Sequence, residues 1–294
     1  MMKKLLVTGS SGMLGRDIVR YFTFLKDYEI FGVDLINSDL ISDKNQFLCD
    51  LTDLKKIKYI IDKIKPSIII HCAAIVNLKK CEENKKLAYD LHCNVTSYLA
   101  GLNSKLIYIS TDSVFDGKKG NYLETDIVNP INYYAYSKLE GEKFALNNKE
   151  SIIIRTNIYG FSVPLKNSLA EWSIKNFKNN NKISGFEDIY FNPIYTYQLA
   201  NFIFLLLKDK FKGIINVCSK NPISKYEFLH KILLKFNFSK ELLEKSSVSN
   251  FNFEIERPKN TVLNTDKLDY LYNLPTIDSG IDMMYNDYKS LDYK

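Results

Sequence analysis

A tyrosine and a lysine four positions apart form the first pair in this sequence that could do chemistry. Tyr134 and Lys138 lie in residues 133–147, a stretch whose pattern predicts a helix, and this spacing places both side chains on one helix face. A free tyrosine has a pKa of about 10 and is a poor proton donor at neutral pH. A neighbouring ammonium group lowers that pKa, so the pair predicts that Tyr134 exchanges a proton with a substrate oxygen.

Thr111 supplies a third group for the same chemistry. The chain contains 20 tyrosines, so a tyrosine–lysine pair alone arises easily by chance. Thr111 follows a predicted strand at residues 105–109, and open α/β sheets bind ligands at the carboxyl ends of their parallel strands. We therefore expect Thr111 to hydrogen-bond a substrate carbonyl beside Tyr134, with Thr111, Tyr134 and Lys138 as the catalytic set.

Three glycines mark a second functional segment. They follow a predicted strand at residues 4–7 and open a predicted helix at residues 13–25, which is the setting of a dinucleotide-binding fingerprint. Gly9 permits the tight turn, Gly12 lets the backbone approach a pyrophosphate, and Gly15 lets the helix sit close to the strand. Because a helix N-terminus attracts phosphate, the segment predicts cofactor contacts from Gly9, Ser11, Gly12, Met13, Leu14 and Gly15.

Asp34 ends a second predicted strand at residues 29–34, where an acid binds the adenosine ribose 2′-hydroxyl. Alone it favours NAD over NADP, because a carboxylate repels a 2′-phosphate. Arg16, directly after Gly15, could compensate, so the choice between NADPH and NADH stays open. Further cofactor contacts are expected from Asp50 and Leu51 (beside the adenine, or else in a helix-capping turn), from the small residues Cys72, Ala73 and Ala74, and from Tyr134 and Lys138.

The elements that must position these residues alternate strand and helix through the first half of the chain. Such repeated units predict an α/β fold with a doubly wound parallel sheet. The predicted strands are residues 4–7, 29–34, 47–49, 67–71, 105–109, 151–155 and 214–217, and a single helix is predicted over residues 83–102. We expect a dinucleotide-binding domain at residues 1–155 with a returning segment at about 192–218, and a smaller, discontinuous substrate domain at residues 156–191 and 219–294.

Composition excludes several classes of protein. The net charge is +6, but 36 of the 40 basic residues are lysines spread among acids, which argues against a nucleic-acid partner. Five cysteines without a paired spacing and three histidines predict neither disulfides nor a metal site. No apolar stretch is long enough for a membrane span or a signal peptide, so a cytoplasmic location without membrane contact is expected.

Taken together in order, these motifs resemble the extended short-chain dehydrogenase/reductases, and within them the dTDP-4-dehydrorhamnose reductase family. The resemblance covers almost the whole chain and is strongest in the first 160 residues. It is carried by Gly9, Gly12 and Gly15, residues 110–117, Tyr134 and Lys138, and residues 138–142, 155–156, 192–196 and 257–261. It implies a Rossmann-type sheet with an α/β substrate domain, and it leaves a homodimer open.

The resemblance also implies a reaction. Hydride would pass from NADPH or NADH to the 4-keto carbon of a nucleotide-linked deoxysugar, in the synthesis of surface-polysaccharide sugars. Thr111 would polarise the carbonyl, Tyr134 would protonate the developing alkoxide, and Lys138 would hold the nicotinamide ribose. Asn94 resembles the family's structural asparagine near that lysine. The substrate would contact Asp112, Ser113, Val114, Phe115, Ile158 and Arg257, the last at the diphosphate unless it forms a surface salt bridge.

Three departures from the family pattern leave the sugar open. Ser113 stands where the family often has tyrosine, Ile158 stands near a frequent tryptophan, and the loop before Pro193 lacks the usual glycine. All three fall where the sugar is expected to lie.

Three related functions compete with this interpretation. A sugar-nucleotide dehydratase usually has Asp-Glu after the threonine, whereas Ser113 follows Asp112 here. An epimerase-reductase of the GDP-fucose synthase type carries a cysteine just after that serine or threonine, and none stands between Cys93 and Cys218. The regulatory beta subunit of methionine adenosyltransferase is similar at residues 12–16 and 71–74, and it binds NADP as a non-catalytic partner protein.

Overall fold

Seven parallel strands form the central sheet of the computed structural model, which describes residues 2–166 and 168–290. Their spatial order is β3-β2-β1-β4-β5-β6-β11, so the sheet is doubly wound about β1 and β4, as predicted. The strands are β1 (Lys3–Thr8), β2 (Tyr28–Asp34), β3 (Gln46–Leu48), β4 (Ile68–His71), β5 (Lys105–Ile109), β6 (Ile152–Arg155) and, later in the chain, β11 (Gly213–Asn216).

Both faces of this sheet are buried, which explains the unbroken apolar runs in its strands. Successive side chains of a strand point to opposite faces. Accordingly Ile68 and Ile70 of β4 pack in one hydrophobic cluster, and Ile69 packs in another on the far side. Each cluster is closed by helices that cross between neighbouring strands.

Helices connect and flank the strands, and those predicted over residues 13–25 and 133–147 lie at or close to their predicted positions. The helices are α1 (Met13–Leu25), α2 (Leu54–Ile64), α3 (Leu78–Glu83), α4 (Lys85–Tyr89), α5 (Val95–Ala100), α6 (Tyr133–Ala145), α7 (Leu169–Lys178), α8 (Thr196–Lys208), α9 (Lys225–Lys235), α10 (Asp266–Leu271) and α11 (Ile277–Ser290). Helix α8 packs its buried face in the same cluster as β1 and α1.

The single helix predicted over residues 83–102 is wrong. The structure has three short helices here, α3 to α5, and a π-helical turn at Asp90–Asn94 between the last two. Asn84 leaves helical geometry, with φ −127° and ψ 59°, and separates α3 from α4. A π turn inserts one extra residue per turn and shifts which side chains face inward, and such turns are frequent at functional sites.

A separate hydrophobic cluster lies in the later part of the chain, around α7, α9 and α11. Six short strands of two to four residues form pairs around this cluster, and the sequence patterns did not predict them. The pairs are β7 (Ile158–Tyr159) with β10 (Ile194–Tyr195), β9 (Tyr190–Phe191) with β12 (Ile223–Ser224), and β8 (Ile183–Phe186) with β13 (Leu243–Ser246). The separate cluster agrees with a smaller second domain, although the domain boundaries themselves stay a prediction.

Two structural findings bear on the excluded classes. Within residues 2–166 and 168–290, no helix combines the length and the apolar character needed to cross a bilayer. Over the same residues, the histidine, cysteine and acidic side chains form no group of three or more that could hold a metal ion.

Candidate active site

The glycine turn between β1 and α1 has the shape that a dinucleotide requires. Gly9 adopts φ +68°, and a Cβ there would lie 2.8 Å from the backbone nitrogen of Ala73. A Cβ on Gly15 would lie 2.0 Å from the Gly9 carbonyl oxygen, so no other residue lets α1 begin this close to the turn. A Cβ on Gly12 would meet only the Gly9 oxygen, at 3.2 Å, and its other sides are open for a pyrophosphate.

Acidic residues hold this turn in place. The Asp34 carboxylate accepts a hydrogen bond from the Ser11 backbone amide at 2.8 Å, and the Ser11 hydroxyl donates to the Ile36 carbonyl at 2.8 Å. Arg16 pairs with the carboxylate of Asp39, a residue that the motifs did not single out, and this guanidinium lowers the pKa of Asp39. Asp34 therefore lies against the predicted phosphate turn, at the end of β2.

The other predicted cofactor contacts fall into two groups. Cys72 and Ala73 lie directly against Gly9, and Ala74 follows them. Asp50 takes the capping-turn alternative, because its carboxylate accepts hydrogen bonds from the Thr52 amide and hydroxyl at 2.9 and 2.8 Å. The Leu51 side chain is buried in the core cluster below β2, so only its backbone could border an adenine.

Thr111 and Tyr134 meet at the carboxyl end of β5. Asn132 caps α6 by accepting a hydrogen bond from the Ala135 amide at 3.0 Å, which fixes the turn that carries Tyr134. Burial raises the pKa of Tyr134, and hydrogen bonding by the Thr111 hydroxyl opposes that rise. The phenol is therefore protonated at neutral pH and faces a second hydroxyl, an arrangement that can donate hydrogen bonds to one carbonyl oxygen.

Lys138 lies one helical turn after Tyr134 but acts differently from the expectation. Its ammonium group donates to the Ile109 carbonyl at 2.7 Å and lies 4.0 Å from the centre of the Tyr108 ring. Burial lowers the pKa of Lys138 to about 7, against the opposing charge of Glu142. The expected lowering of the Tyr134 pKa by Lys138 is not found in this arrangement, because the ammonium group is directed to β5 while Thr111 interacts with the phenol.

Asn94 forms no hydrogen bond with Lys138 within the residues that the structure describes. Asn94 is exposed, and its amide donates to Asp90 at 2.8 Å. His92, two residues earlier in the π turn, is the buried side chain that reaches α6, where its Nδ1 lies 2.8 Å from the Ser137 hydroxyl. The π turn thus directs His92, and not Asn94, towards α6.

A cavity of about 550 Å³ opens beside this catalytic set. Asp112 and Ser113, which directly follow Thr111, form one wall. Aromatic and aliphatic side chains form much of the rest, and two cations contribute to it. Besides Asp112 and Ser113, the lining comprises Leu78, Asn132, Asn157, Leu169, Trp172, Ser184, Gly185, Phe186, Ile189, Lys225, Leu229, Val248, Phe251, Phe253, Arg257, Pro258 and Thr261.

Comparison with known proteins assigns the chain to a family. A model described as the RmlD substrate binding domain matches residues 2–290. The chain belongs to the RmlD substrate-binding domain family.

Two relatives and one solved structure are similar to this chain along most of its length. A dTDP-4-dehydrorhamnose reductase of Aggregatibacter actinomycetemcomitans is 28% identical, over 94% of this chain and 96% of the relative. The methionine adenosyltransferase 2 subunit beta of Danio rerio is 29% identical, over 92% and 85%. The crystal structure of dTDP-4-dehydrorhamnose reductase from Bacillus anthracis in complex with NADP matches with a TM-score of 0.87 at 27% identity, over 98% of this chain and 100% of that chain.

Within this RmlD-family site, the structure separates the predicted substrate residues. Asp112, Ser113 and Arg257 line the cavity. Val114 and Phe115 do not, because both are fully buried in a small core cluster where Phe115 stacks on Tyr122 at 4.2 Å. Their assignment to the substrate is therefore corrected to a structural role, and it is the two residues before them that reach the cavity.

Ile158 is not among the residues that line this cavity. Its side chain packs on the main core cluster, and it pairs with Ile194 between β7 and β10. The neighbouring Asn157 lines the cavity instead and donates to Asp112 at 2.8 Å. Asn157 directly precedes β7, so the residue that lines the cavity lies one position before the predicted one.

Asp112 joins the sheet to the segment at residues 257–261. It is 2% exposed, and it accepts hydrogen bonds from Thr261 at 2.5 Å, Asn157 at 2.8 Å, Thr111 at 3.1 Å and Ser113 at 3.2 Å. These four donors occupy the acceptor positions of both carboxylate oxygens. Asp112 therefore fixes Thr111 and the cavity wall rather than offering a free acid or base.

Lys225 is the cavity cation that sequence reasoning missed. Its ammonium group lies 3.3 Å from the centre of the Phe191 ring, and burial lowers the pKa of Lys225 to about 8 while Asp112 opposes that shift. Among the described residues, it forms no hydrogen bond or ion pair. The capping box of Ser224 and Glu227 places Lys225 at the first position of α9, and that motif could have located it.

Arg257 was expected at the diphosphate or, as the alternative, in a surface salt bridge. Within the described part of the chain it makes no salt bridge, and its guanidinium lies 4.8 Å from the centre of the Phe253 ring, on the cavity wall. Two cations that face one cavity without carboxylate partners favour an anionic ligand.

Proposed function

We propose that this protein reduces the 4-keto group of a nucleotide-linked deoxysugar with hydride from NADPH or NADH. The observation that carries the proposal is the Thr111–Tyr134 pair, which lies at the same edge of the parallel sheet as the glycine turn and next to a cavity with two cations. The similarity to dTDP-4-dehydrorhamnose reductases, one of them solved with NADP, supports the same reaction. The product would serve the synthesis of surface-polysaccharide sugars.

The proposed cofactor fits the residues at the glycine turn. The open side of Gly12 and the N-terminus of α1 would hold the pyrophosphate, and Asp34 stands where the adenosine ribose is expected. Lys138, buried at the end of β5, would hold the nicotinamide ribose. When bound, the cofactor supplies the hydride.

The chain's own residues would then manage the carbonyl oxygen. The Thr111 hydroxyl, which donates to Asp112 in this structure, would turn its single proton to that oxygen and polarise the carbonyl group. Tyr134 passes its proton to the oxygen as alkoxide charge develops, and its raised pKa ensures that the proton is present at neutral pH. Lys225 and Arg257 bind the diphosphate and so hold the sugar in the orientation that the transfer needs.

A second candidate function is a regulatory, non-catalytic subunit that binds the cofactor. The similarity to the methionine adenosyltransferase 2 subunit beta of Danio rerio favours it. An intact Thr111, Tyr134 and Lys138 set is compatible with either function, so turnover must decide. A dehydratase of the same superfamily is disfavoured, since the four donors around Asp112 and the serine at position 113 leave no acid–base pair there.

The deciding experiment is a substrate screen with a chemical control. Purified protein is given NADPH or NADH and a panel of dTDP-, GDP-, UDP- and CDP-linked 4-keto sugars, and oxidation of the reductant is followed. We expect one nucleotide class to support oxidation. Absence of oxidation with every member, while the cofactor still binds, would overturn the proposal in favour of the regulatory function.

A further inference from the structure

His92 joins two segments of the site that are distant in sequence. The loop after β4 packs on the glycine turn, and α6 carries Tyr134. His92 is fully buried between them, in the π turn at Asp90–Asn94. Its backbone lies directly on α6, because a Cβ at Gly141 would come within 2.5 Å of the His92 carbonyl oxygen.

The hydrogen bonds of His92 determine its tautomer. Nε2 lies 2.9 Å from the backbone nitrogen of Ile75, which can only donate, so Nε2 is the unprotonated acceptor. Nδ1 consequently carries the proton and donates to the Ser137 hydroxyl at 2.8 Å. Ser137 in turn donates to the Tyr134 carbonyl oxygen at 2.9 Å. Every donor and acceptor in this chain of bonds is matched.

The ring itself also contacts the tyrosine. The His92 and Tyr134 rings meet edge to face, with centres 6.1 Å apart and planes at 83°. Burial lowers the pKa of His92 to about 2, so the imidazole is neutral throughout the pH range of an enzyme, and the tautomer does not change. A proton-transfer role is therefore disfavoured, and His92 acts as a fixed contact that holds Tyr134 in position.

We propose that His92 is the positioning residue that holds the Tyr134 phenol against Thr111, through Ser137 and through its ring edge, while tying α6 to the loop that borders the glycine turn. The inference rests on the proposed role of Tyr134. It gives a role to the π turn that carries His92, and such turns are frequent at functional sites.

Four variants separate this role from simple structural support. His92→Gln retains one acceptor and one donor at a similar separation, and His92→Leu retains only the volume. Ser137→Ala breaks the bond to Tyr134 without touching Ile75, and it keeps a good helix former in α6. Thr96→Val is the matched control, since the Thr96 hydroxyl bonds the His92 carbonyl at 2.7 Å in the same turn but leaves the ring bonds intact.

Two readouts are needed, one of them independent of turnover. The first is kcat and KM with a substrate from the screen. The second is the Cζ chemical shift of Tyr134 at neutral pH in protein with labelled tyrosine, assigned with Tyr134→Phe, which reports hydrogen bonding of the phenol. We expect His92→Leu and Ser137→Ala to move this shift and to lower kcat by about 10- to 100-fold at nearly constant KM, because a displacement of ~1 Å near reacting groups can cost about 10²-fold.

In His92→Gln, we expect kcat and the Cζ chemical shift of Tyr134 to stay close to those of the unmodified protein. Thr96→Val is expected to lower stability without changing that chemical shift. The proposal is overturned if the Tyr134 shift is the same in folded His92→Leu, Ser137→Ala and unmodified protein. It is also overturned if Thr96→Val moves the shift as much as they do. Should no sugar nucleotide be reduced, the shift still decides the role of His92, so failure of the proposed reaction is distinguishable from failure of this inference.

Discussion

At the scale of single residues, the site combines a protonated phenol with two cations that form no ion pair among the described residues. Tyr134 keeps its proton because burial raises its pKa, and hydrogen bonding with Thr111 opposes that rise. Lys225 and Arg257 face the cavity without an ion pair in the described residues. Each group is therefore in the state that protonating an alkoxide or binding a diphosphate requires.

Tyr134→Phe is expected to remove turnover while leaving cofactor affinity nearly unchanged. The phenol transfers a proton, and the glycine turn that would hold the cofactor does not depend on its hydroxyl. Steady-state rates and a fluorescence titration with NADPH measure the two effects. Retention of most of the activity would exclude Tyr134 as the acid.

Lys225→Met is expected to raise KM for the nucleotide sugar by about 10- to 100-fold with a smaller effect on kcat, since a hydrogen bond to a charged group contributes about 1.5–3 kcal/mol. Lys231→Met is the control, because Lys231 lies on the same helix but pairs with Asp278 at the surface. Equal KM values for the two variants would show that the diphosphate does not reach Lys225.

The site residues that sequence reasoning placed differently from the structure share one cause, which is the local direction of their side chains. Thr111, Tyr134 and the three glycines could be predicted because their motifs fix both spacing and context. Asn94, Val114, Phe115 and Ile158 were placed by resemblance alone, and residues one or two positions earlier reach α6 or line the cavity. Lys225 was missed because its partners lie far away in sequence.

At the scale of elements, the parallel strands were predictable because short apolar runs bounded by turns have few alternatives. The short strands β7 to β10, β12 and β13 were not, since two- to four-residue pairings depend on tertiary packing rather than on a repeating pattern. Helix α11 was missed in the same part of the chain. The proposed cofactor site depends on the junction of β1 and α1.

Gly12→Ala tests that junction. Its Cβ would meet the Gly9 oxygen at 3.2 Å and otherwise fill the open side, so we expect a folded protein whose NADPH affinity falls by at least about tenfold. Gly101→Ala is the control, since a Cβ there makes only ordinary contacts at 3.5 Å or more. Unchanged affinity in Gly12→Ala, measured by calorimetry, would place the pyrophosphate elsewhere.

At the scale of the whole molecule, one buried lysine couples the site to stability. Burial holds the pKa of folded Lys138 at about 7, whereas an unfolded lysine titrates near ~10.4. Between these values the unfolded chain binds more protons, so this residue makes the folded state more stable as pH rises from about 7 towards 10.

Lys138→Met is expected to remove that dependence. In urea unfolding, the stability of the unmodified protein relative to Lys138→Met should rise by roughly 1 kcal/mol per pH unit between about pH 7 and 9, following proton linkage. Lys231→Met, at an exposed lysine, should show no such trend relative to the unmodified protein. A flat difference for Lys138→Met would contradict the buried, weakly basic state of this ammonium group.

The most direct measurement of the central claim follows a single hydride. Protein, a 4-keto sugar nucleotide accepted in the screen, and NADPH deuterated at C4 on one face and then on the other are combined, and the sugar product is analysed by mass spectrometry and NMR. We predict that deuterium from one face of the cofactor, and not from the other, appears at C4 of the sugar, and that Tyr134→Phe abolishes the transfer. Oxidation of NADPH that leaves C4 of the sugar unlabelled with both deuterated forms would contradict the account.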